Sequence, residues 1–170
     1  MANTKKSSIT EGTKNITRNR KALHNYFVDE RIEAGIVLLG TEVKSLRAGR
    51  VQLLDAYARF QDDELWLLNA HISPYEMGTH ENHAPTRPRK LLLKRRELNR
   101  LRTKTEQVGF TLIPLSLYLR DGIIKCELGL CRGKKLFDKR ETIRQREDAR
   151  DVARQHAHMH RMRHSRHGDD

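Results

Sequence analysis

The chain has 170 residues, with 34 Lys and Arg against 22 Asp and Glu, which gives a formal net charge of +12. This length suits one sizeable core rather than two full-size domains, and the charge favours a polyanion, above all a nucleic acid, as partner. No stretch approaches the roughly 18 to 20 apolar residues of a membrane span, and the N-terminus lacks the apolar core of a signal peptide. We therefore expect a cytoplasmic protein with no membrane partner.

The first part of the chain predicts an arm, a helical turn and a long strand. Residues 1–18 have too few apolar side chains to order themselves, so they predict a flexible basic arm. A short helical turn is expected at Asn19–Leu23. From Tyr26 to Leu38 apolar residues recur at every second position, interrupted by Glu30, which predicts a strand, although a helix followed by a shorter strand fits less well and stays open. Gly35 indicates a bulge or sharp coil within it.

The middle of the chain predicts a meander, a loop and a helix. Strands are expected at Glu42–Leu46, Ala56–Gln61 and Glu64–Ala70, the last two joined by a turn at Asp62 and Asp63. The stretch His80–Pro88 has no periodicity and predicts a loop. Its Arg87, with the following Arg89, is expected to stay free for phosphates. From Leu91 to Val108 apolar residues fall at helical spacing, and Gly109 is the expected C-cap.

The late part of the chain predicts a hairpin and then a charged tail. Asp121-Gly122 between two apolar runs, at 110–119 and 123–130, is a strong hairpin signal, and Pro114 predicts an edge or a bulge in the first strand. The pattern predicts a mainly β fold, a small closed barrel of the oligonucleotide-binding (OB) type, with about six strands and two or three flanking helices. The barrel is expected at residues 19–132. Residues 133–170 predict a basic tail, disordered alone and helical when held.

Cysteine and histidine usage predicts no metal site and no cofactor. Cys126 and Cys131 are expected to point to opposite faces of one strand, which indicates reduced packing thiols rather than a disulfide or zinc site. On a helix, His156, His160, His164 and a fourth histidine at 167 would share one face. A weak cationic stripe is favoured there over metal binding, because a disordered tail offers no preorganised ligands.

Five segments in order resemble the SsrA-binding protein (SmpB) family. They are GTEVKSLRAG at 40–49, LLNAHISPYE at 67–76, RKLLL at 89–93, PLSLY at 114–118 and GKKLFDKRE at 133–141, within a match from about Asn19 to Glu147. The resemblance implies an OB-type barrel that binds the tRNA-like part of transfer-messenger RNA as a monomer. It also implies that the complex enters a ribosome whose messenger has run out, where the tail occupies the empty messenger channel as a helix.

The resemblance also implies which residues contact RNA. In the barrel these are Glu33, Leu92 and Lys125, with Asn19, Arg20, Lys21 and His24 extending the same surface. Lys125 can neutralise a phosphate, Leu92 can pack on a base or ribose, and Glu33 can accept from a base amine or 2′-hydroxyl. In the tail the implied contacts, to small-subunit rRNA near the decoding centre, are Lys134, Lys135, Phe137, Asp138, Lys139 and Arg140. Relatives often carry Tyr or His where Phe137 stands, so there only stacking is expected.

Two other function classes fit parts of the sequence. Asp29 upstream of Glu42-Val43-Lys44 imitates the acidic-x-Lys arrangement of some metal-dependent nucleases, in which carboxylates hold the ion that activates water. A generic ribosomal or single-strand RNA-binding barrel fits the charge equally well, but it would not prefer a folded tRNA-like RNA. The resemblance favours a non-enzymatic adaptor over both.

Overall fold

The computed structural model describes residues 13–78 and 82–135, together with Arg150. In these ranges the elements are, in order, β1 (Thr13–Arg18), α1 (Arg20–Asn25), β2 (Tyr26–Ile36), α2 (Gly40–Arg47), β3 (Val51–Gln52), β4 (Tyr57–Gln61), β5 (Glu64–Leu68), β6 (His71–Ile72), β7 (Arg89–Leu92), α3 (Arg95–Thr105), β8 (Phe110–Arg120) and β9 (Ile123–Gly133). None of the helices described is both long and apolar enough to cross a bilayer.

Six strands pair into a closed ring, in the order β8-β4-β5-β7-β2-β9 and back to β8. All of these pairings are antiparallel, and β1 adds to the free side of β8 outside the ring. The shortest pairing in the ring joins β4 and β8, which are paired at Ala58 and Leu112. The prediction of a mainly β fold with about six strands in a closed ring and two or three flanking helices is confirmed, since the described residues contain six ring strands and three helices.

The core fills the ring because alternate residues of each strand point inward. Leu65 and Leu67 of β5, Leu91 of β7 and Leu128 of β9 are buried in one cluster with side chains from the helices. Leu46 of α2 and Leu101 of α3 belong to the same cluster and are fully buried. The residues between the inward positions therefore lie on the outer face of the ring, part of which is covered by α1.

The late hairpin forms as predicted. Asp121 and Gly122 have φ values of 51° and 77°, as both central residues of a type I′ turn require, and β8 pairs with β9 along its length. The pairing register shifts between Pro114 and Ser116, so the predicted irregularity at Pro114 is a bulge. The bulge inserts Leu115 and lets the chain bend where proline has no N–H to donate.

The long strand β2 joins two sides of the ring. It pairs with β9 from Tyr26 to Gly35 and with β7 at Gly35 and Ile36, so Gly35 has a partner on each side. The register shift predicted at Gly35 lies instead between Val28 and Glu30. Gly35 serves a close approach, because a Cβ at this position would lie 3.2 Å from the Cβ of Leu92.

The prediction of a strand at Glu42–Leu46 is wrong, because these residues lie in helix α2. Glu42, Ser45 and Leu46 are the buried residues of this helix, which is the spacing of one helical face. The carboxylate of Glu42 also accepts a hydrogen bond from the backbone N–H of Leu39 at 2.7 Å and so caps the helix. A five-residue window with only two apolar residues, Val43 and Leu46, did not separate this helical face from that of a strand.

Arg87 and Arg89 are not free for phosphates, because both bind the buried carboxylate of Glu42. The Nε of each guanidinium donates to Oε1 of Glu42 at 2.8 Å. Arg89 is fully buried and also donates to the carbonyl oxygens of Ala70, at 2.6 Å, and Pro85, at 3.0 Å. Burial by itself raises the pKa of Glu42, but the hydrogen bond from Arg87, the Leu39 N–H and the charge of Arg89 hold this pKa below its ordinary value.

The predicted helix from Leu91 to Val108 is shorter at both ends. Leu91 lies in strand β7, paired with Leu65 of β5 on one side and Ile36 of β2 on the other, and α3 begins only at Arg95. The apolar run before α3 is compatible with the periodicity of a helix or of a strand. It forms strand β7 because it pairs with β5 on one side and β2 on the other. The helix ends at Thr105, so Val108 is exposed, and Gly109 adopts a φ of 94° in the turn before β8 instead of capping α3.

Residues 13–18 are not part of a flexible arm, since they form strand β1 on the edge of β8. Ile16 packs against the main core, which gives this polar segment one apolar anchor. The first twelve residues of the predicted arm lie outside the described residues. The short pair β3 and β6 was not predicted from the sequence.

The two cysteines lie on opposite faces of β9, as predicted. Cys126 belongs to the main core, and Cys131 to a smaller cluster with Ala22 of α1 and Ile113 of β8. Both are free thiols, and burial raises their pKa values to about 12. They are therefore protonated packing residues at neutral pH.

Replacing Arg89 by Met is expected to lower the free energy of unfolding by about 3 kcal/mol. The variant leaves the buried carboxylate of Glu42 with Arg87 as its remaining guanidinium partner, and breaking a buried ion pair costs on this scale. Urea unfolding followed by circular dichroism at neutral pH measures the change. The control is Arg96→Met on the exposed side of α3, expected within about 0.5 kcal/mol of wild type. Equal unfolding free energies for both variants would contradict the role given to Arg89.

Candidate nucleic-acid interface

A row of directly paired residues crosses five strands on the outer surface of the sheet. It consists of Asn15 (β1), Tyr118 (β8), Lys125 (β9), Gly35 (β2) and Leu92 (β7), each opposite the next in the pairing register. Residues opposite each other in antiparallel strands point to the same face. Their sequence neighbours, such as Leu91 and Cys126, are buried in the core, so this central row faces solvent.

The central row brings together the residues implied by the resemblance. Lys125 and Leu92 flank Gly35 on either side, and Glu33 lies two positions before Gly35 on the same face of β2. With strands about 4.8 Å apart, Tyr118 and Leu92 are separated by three spacings, or about 14 Å. A cation, a carboxylate and an apolar side chain thus share a surface the size of a few nucleotides.

Leu92 is the apolar member of this surface. Its side chain is 50% exposed, although Leu91 beside it is 2% exposed. Because Gly35 has no side chain, Leu92 lies directly against the backbone of β2 and stands at the same level as the polar groups around it. An exposed leucine in a basic surface can pack on a ribose or an unstacked base.

Glu33 is held in place by two donors from β8. Its Oε2 accepts hydrogen bonds from the hydroxyl of Tyr118 and from Nη1 of Arg120, the latter at 3.0 Å. The Tyr118 hydrogen bond is the largest cause that holds the pKa of Glu33 below its ordinary value of 4.5, with Arg120 and the charge of Lys125 adding to it against the effect of burial. Burial and the carboxylate raise the pKa of Tyr118, so its hydroxyl remains a donor at neutral pH.

These contacts determine what Glu33 can do. The carboxylate is ionised and fixed through one oxygen, and within the described residues its other oxygen, Oε1, accepts no hydrogen bond. An acceptor in a fixed position suits a base amine or a ribose 2′-hydroxyl. Lys125 makes no ion pair with any residue in the described ranges, so its ammonium can neutralise a phosphate.

Asn19 has a structural role in the fold, and its contact with RNA stays a prediction. It is 4% exposed, and its Oδ1 accepts from the backbone N–H of Ala22 at 3.0 Å and so caps α1. Its Nδ2 donates to the carbonyls of Leu53, at 2.7 Å, and Pro114, at 3.2 Å. The side chain thus caps α1 and ties its start to β8 at Pro114 and to the segment after β3 at Leu53.

The three other residues named near α1 lie at the far end of the same outer face. Helix α1 packs through Ala22 on Cys131, which is six residues, or about 20 Å, along β9 from Lys125. Arg20 is exposed, Lys21 pairs with exposed Asp55 at 3.2 Å, and His24 is half-buried. These side chains are at the surface, but they are not part of the cluster around Gly35, which consists of Glu33, Leu92 and Lys125.

Tyr118 and Arg120 are site residues that the sequence reasoning missed. The two-residue turn at Asp121-Gly122 places Arg120 opposite Ile123 and therefore Tyr118 opposite Lys125. Counting outward from the turn would have placed Tyr118 beside Lys125. The contact with Glu33 depends on the pairing of β2 with β9, which a hairpin motif does not give.

In the tail, Lys134 is half-buried and Lys135 exposed, just after β9. Phe137, Asp138, Lys139 and Arg140 lie outside the described residues, so their role stays a prediction.

The residues of the nuclease hypothesis do not form a metal site. Asp29 pairs with Arg132 at 3.0 Å, and Glu42 is buried against Arg87 and Arg89. Across residues 13–78 and 82–135, no group of three His, Cys, Asp or Glu side chains is placed to hold a metal ion. Glu42 and Lys44 also lie on helix α2 rather than on the strand predicted at Glu42–Leu46.

Comparison with known proteins gives one consistent family. Residues 16–158 match the family described as "SmpB protein". The SsrA-binding protein of Desulfitobacterium hafniense (strain DSM 10664 / DCB-2) is 54% identical over 145 residues, which cover 85% of this chain and 93% of that relative. That of Thermobifida fusca (strain YX) is 53% identical over 154 residues, covering 91% and 96%. A solved structure described as "tmRNA-SmpB: a journey to the center of the bacterial ribosome" matches with a TM-score of 0.62 and 51% identity, covering 75% of this chain and 94% of that one.

Replacing Tyr118 by Phe is expected to raise the pKa of Glu33 toward 4.5, because it removes the largest cause of the depression. A pH titration of the Glu33 carboxyl carbon by NMR measures this pKa. The stability that the hydroxyl contributes is present above pH 4.5 and is lost as the pH falls through the depressed pKa of the folded state. The control is Tyr57→Phe, which leaves the titration of Glu33 unchanged. An unchanged pKa in the Tyr118 variant would show that the hydroxyl does not hold the carboxylate.

Proposed function

This chain belongs to the SmpB family, and from this membership and the chemistry of the central row we propose that it is the adaptor of trans-translation. The chain binds the tRNA-like part of transfer-messenger RNA and brings that RNA to ribosomes that have stalled. The observation that carries the proposal is the cluster around Gly35. It combines a phosphate-neutralising Lys125, an oriented carboxylate at Glu33 and an exposed Leu92 on a protein with a net charge of +12.

The chemistry of this cluster suits a folded RNA better than a plain single strand. The described side chains of the central row include one aromatic ring, Tyr118, and its hydroxyl is committed to Glu33. A single-strand binder would instead present successive rings for successive bases. A fixed acceptor, a cation and an apolar contact within about 14 Å suit the phosphates, 2′-hydroxyls and exposed bases of a structured RNA. Arg20, Lys21 and His24 extend the contact along the same face.

We further propose a separate task for the tail, residues 133–170. Between Arg132 and Asp170 the sequence has twelve Lys and Arg, seven Asp and Glu, and five His. Such a segment gains order mainly from a partner, since it has few apolar residues to pack. In the vacant messenger channel it becomes a helix, and the six residues from Lys134 to Arg140 named in the resemblance contact small-subunit rRNA. Folding there couples delivery of the RNA to the absence of a messenger.

Both tasks are binding tasks. We propose that the chain makes and breaks no covalent bond, needs no cofactor, and acts as a monomer in the cytoplasm, where its ribosomal partner is. The two bound carboxylates of the nuclease hypothesis, at Asp29 and Glu42, support this reading. The generic RNA-binding barrel differs from the adaptor in one measurable property, which is the preference for transfer-messenger RNA over ordinary tRNA.

Replacing Lys125 by Gln is expected to weaken binding of the tRNA-like RNA about tenfold at moderate salt, because a hydrogen bond to a charged group is lost. The slope of log affinity against log salt is expected to become shallower by about one, as for one lost phosphate contact. Filter binding or anisotropy over a salt series measures both quantities. Arg96→Gln on α3 makes the same charge change away from the cluster and is expected to keep the wild-type slope. Similar losses in the two variants would point to general charge attraction and against a site at Lys125.

Removal of residues 136–170 is expected to abolish peptide tagging on stalled ribosomes while affinity for the tRNA-like RNA stays within about threefold of wild type. The cut follows β9 and leaves its pairing with β2 intact. Tagging in a purified translation system and binding to the isolated RNA are measured in parallel. Loss of both activities, or of neither, would contradict the separation of tasks.

A further inference from the structure

A second row of paired residues lies beside the central row. It consists of Val37, the residue after β2, followed by Lys90 of β7, Trp66 of β5 and Arg59 of β4. The backbone N–H of Val37 donates to the carbonyl of Lys90 at 2.9 Å and so continues the pairing of β2 with β7. The neighbours Leu65, Leu67 and Ala58 are buried, so the second row faces outward.

Trp66 is the single tryptophan of the chain, and it stands in this row between two cations. The ring is half-buried rather than packed into the core. Lys90 is paired with Glu64, and Arg59 is exposed. Within the described residues, the cation–ring contacts involve other rings, those of Tyr75, Phe60 and Phe110. Neither neighbouring cation covers the indole of Trp66.

The second row is continuous with the cluster around Gly35. Lys90 is two residues from Leu92 on β7, and Val37 follows Gly35 by two residues just past the end of β2, a step of about 7 Å along each chain. An RNA strand that contacts Leu92 therefore reaches Trp66 within a few nucleotides. The cations on either side match the negative charge of its backbone.

We propose that Trp66 is a stacking platform for an unpaired base of the RNA that the central row binds, with the exposed Arg59 contacting a phosphate beside it. This site rests on the proposed function, because it takes its ligand from the RNA held at Lys125, Leu92 and Glu33. The accessible part of the indole offers a π-face to any base, while Arg59 fixes the path of the backbone. The site adds contact to an unstacked base next to the contacts that read the shape of the RNA.

The single tryptophan provides a direct measurement. In the full chain, all indole fluorescence comes from Trp66, so a base that stacks on the ring is expected to quench it upon addition of the tRNA-like part of transfer-messenger RNA. A blunt RNA duplex of equal length, which has no unpaired base, is expected to cause little quenching at equal occupancy. Equal quenching by both RNAs, or unchanged fluorescence at saturation with the tRNA-like RNA, would overturn the proposal.

Substitutions separate stacking from charge. Trp66→Ala is expected to lower affinity for the tRNA-like RNA on the order of tenfold, and Trp66→Phe, which keeps an aromatic face, is expected to stay within about threefold of wild type. Arg59→Gln, at an exposed position, is expected to make the salt slope shallower by about one, whereas Arg96→Gln keeps it. Circular dichroism checks that each variant is folded. If Trp66→Ala does not fold, the Arg59→Gln variant and the fluorescence of the wild-type chain still test the site.

The outcomes distinguish this site from the function on which it rests. Wild-type affinity in Trp66→Ala and Arg59→Gln, combined with a loss in Lys125→Gln, would overturn the stacking platform and leave the adaptor intact. A wild-type chain that does not prefer transfer-messenger RNA over ordinary tRNA would overturn the proposed function and this site with it. A loss in Trp66→Ala that Trp66→Phe restores is the result expected for a stacked base.

Discussion

The arrangement of the ring depends on one buried ion pair, between Glu42 of α2 and Arg89 of β7. Both side chains are fully buried, and Arg89 also ties β7 to the carbonyls of Ala70 and Pro85. Such a pair is tolerated in a core because every donor and acceptor has a partner. The consequence is positional, since β7 bridges β2 and β5 and presents Lys90 and Leu92 to solvent while Arg89 and Leu91 point inward. The buried pair of Glu42 and Arg89 thus fixes the positions of Lys90 and Leu92 on the outer face of the ring.

Pairing register is what turns scattered residues into a binding surface. Glu33, Leu92 and Lys125 are far apart in the sequence, and each taken alone is an ordinary strand residue. Antiparallel pairing at Gly35 brings them side by side, and the absence of a side chain at that glycine lets Leu92 lie close to β2. Tyr118 and Arg120 then orient the carboxylate from the neighbouring hairpin. A surface made in this way is as rigid as the sheet beneath it, which suits recognition of a preformed RNA shape.

The family gives this surface its biological context. The related chains are named for binding SsrA, and a structural relative is described together with the bacterial ribosome. A rigid sheet and a charged tail meet different physical demands. The sheet positions its contacts through backbone pairing, whereas we propose that the charged tail gains order from a partner. An adaptor that combines both can hold one RNA continuously and respond to a second binding partner only when that partner is accessible.

Features that depend on local chemistry could be predicted from neighbouring residues alone. The Asp121-Gly122 turn, the bulge at Pro114, the meander at β4 and β5, and the family resemblance all follow from residues adjacent in the chain. Tertiary structure decided the rest. Glu42 can be buried in a helix because Arg87 and Arg89, more than forty residues later in the chain, neutralise it. Asn19 is buried because its amide donates to carbonyls of two other segments. Short apolar or alternating runs fit either a helix or a strand, so long-range burial and hydrogen bonding choose between them.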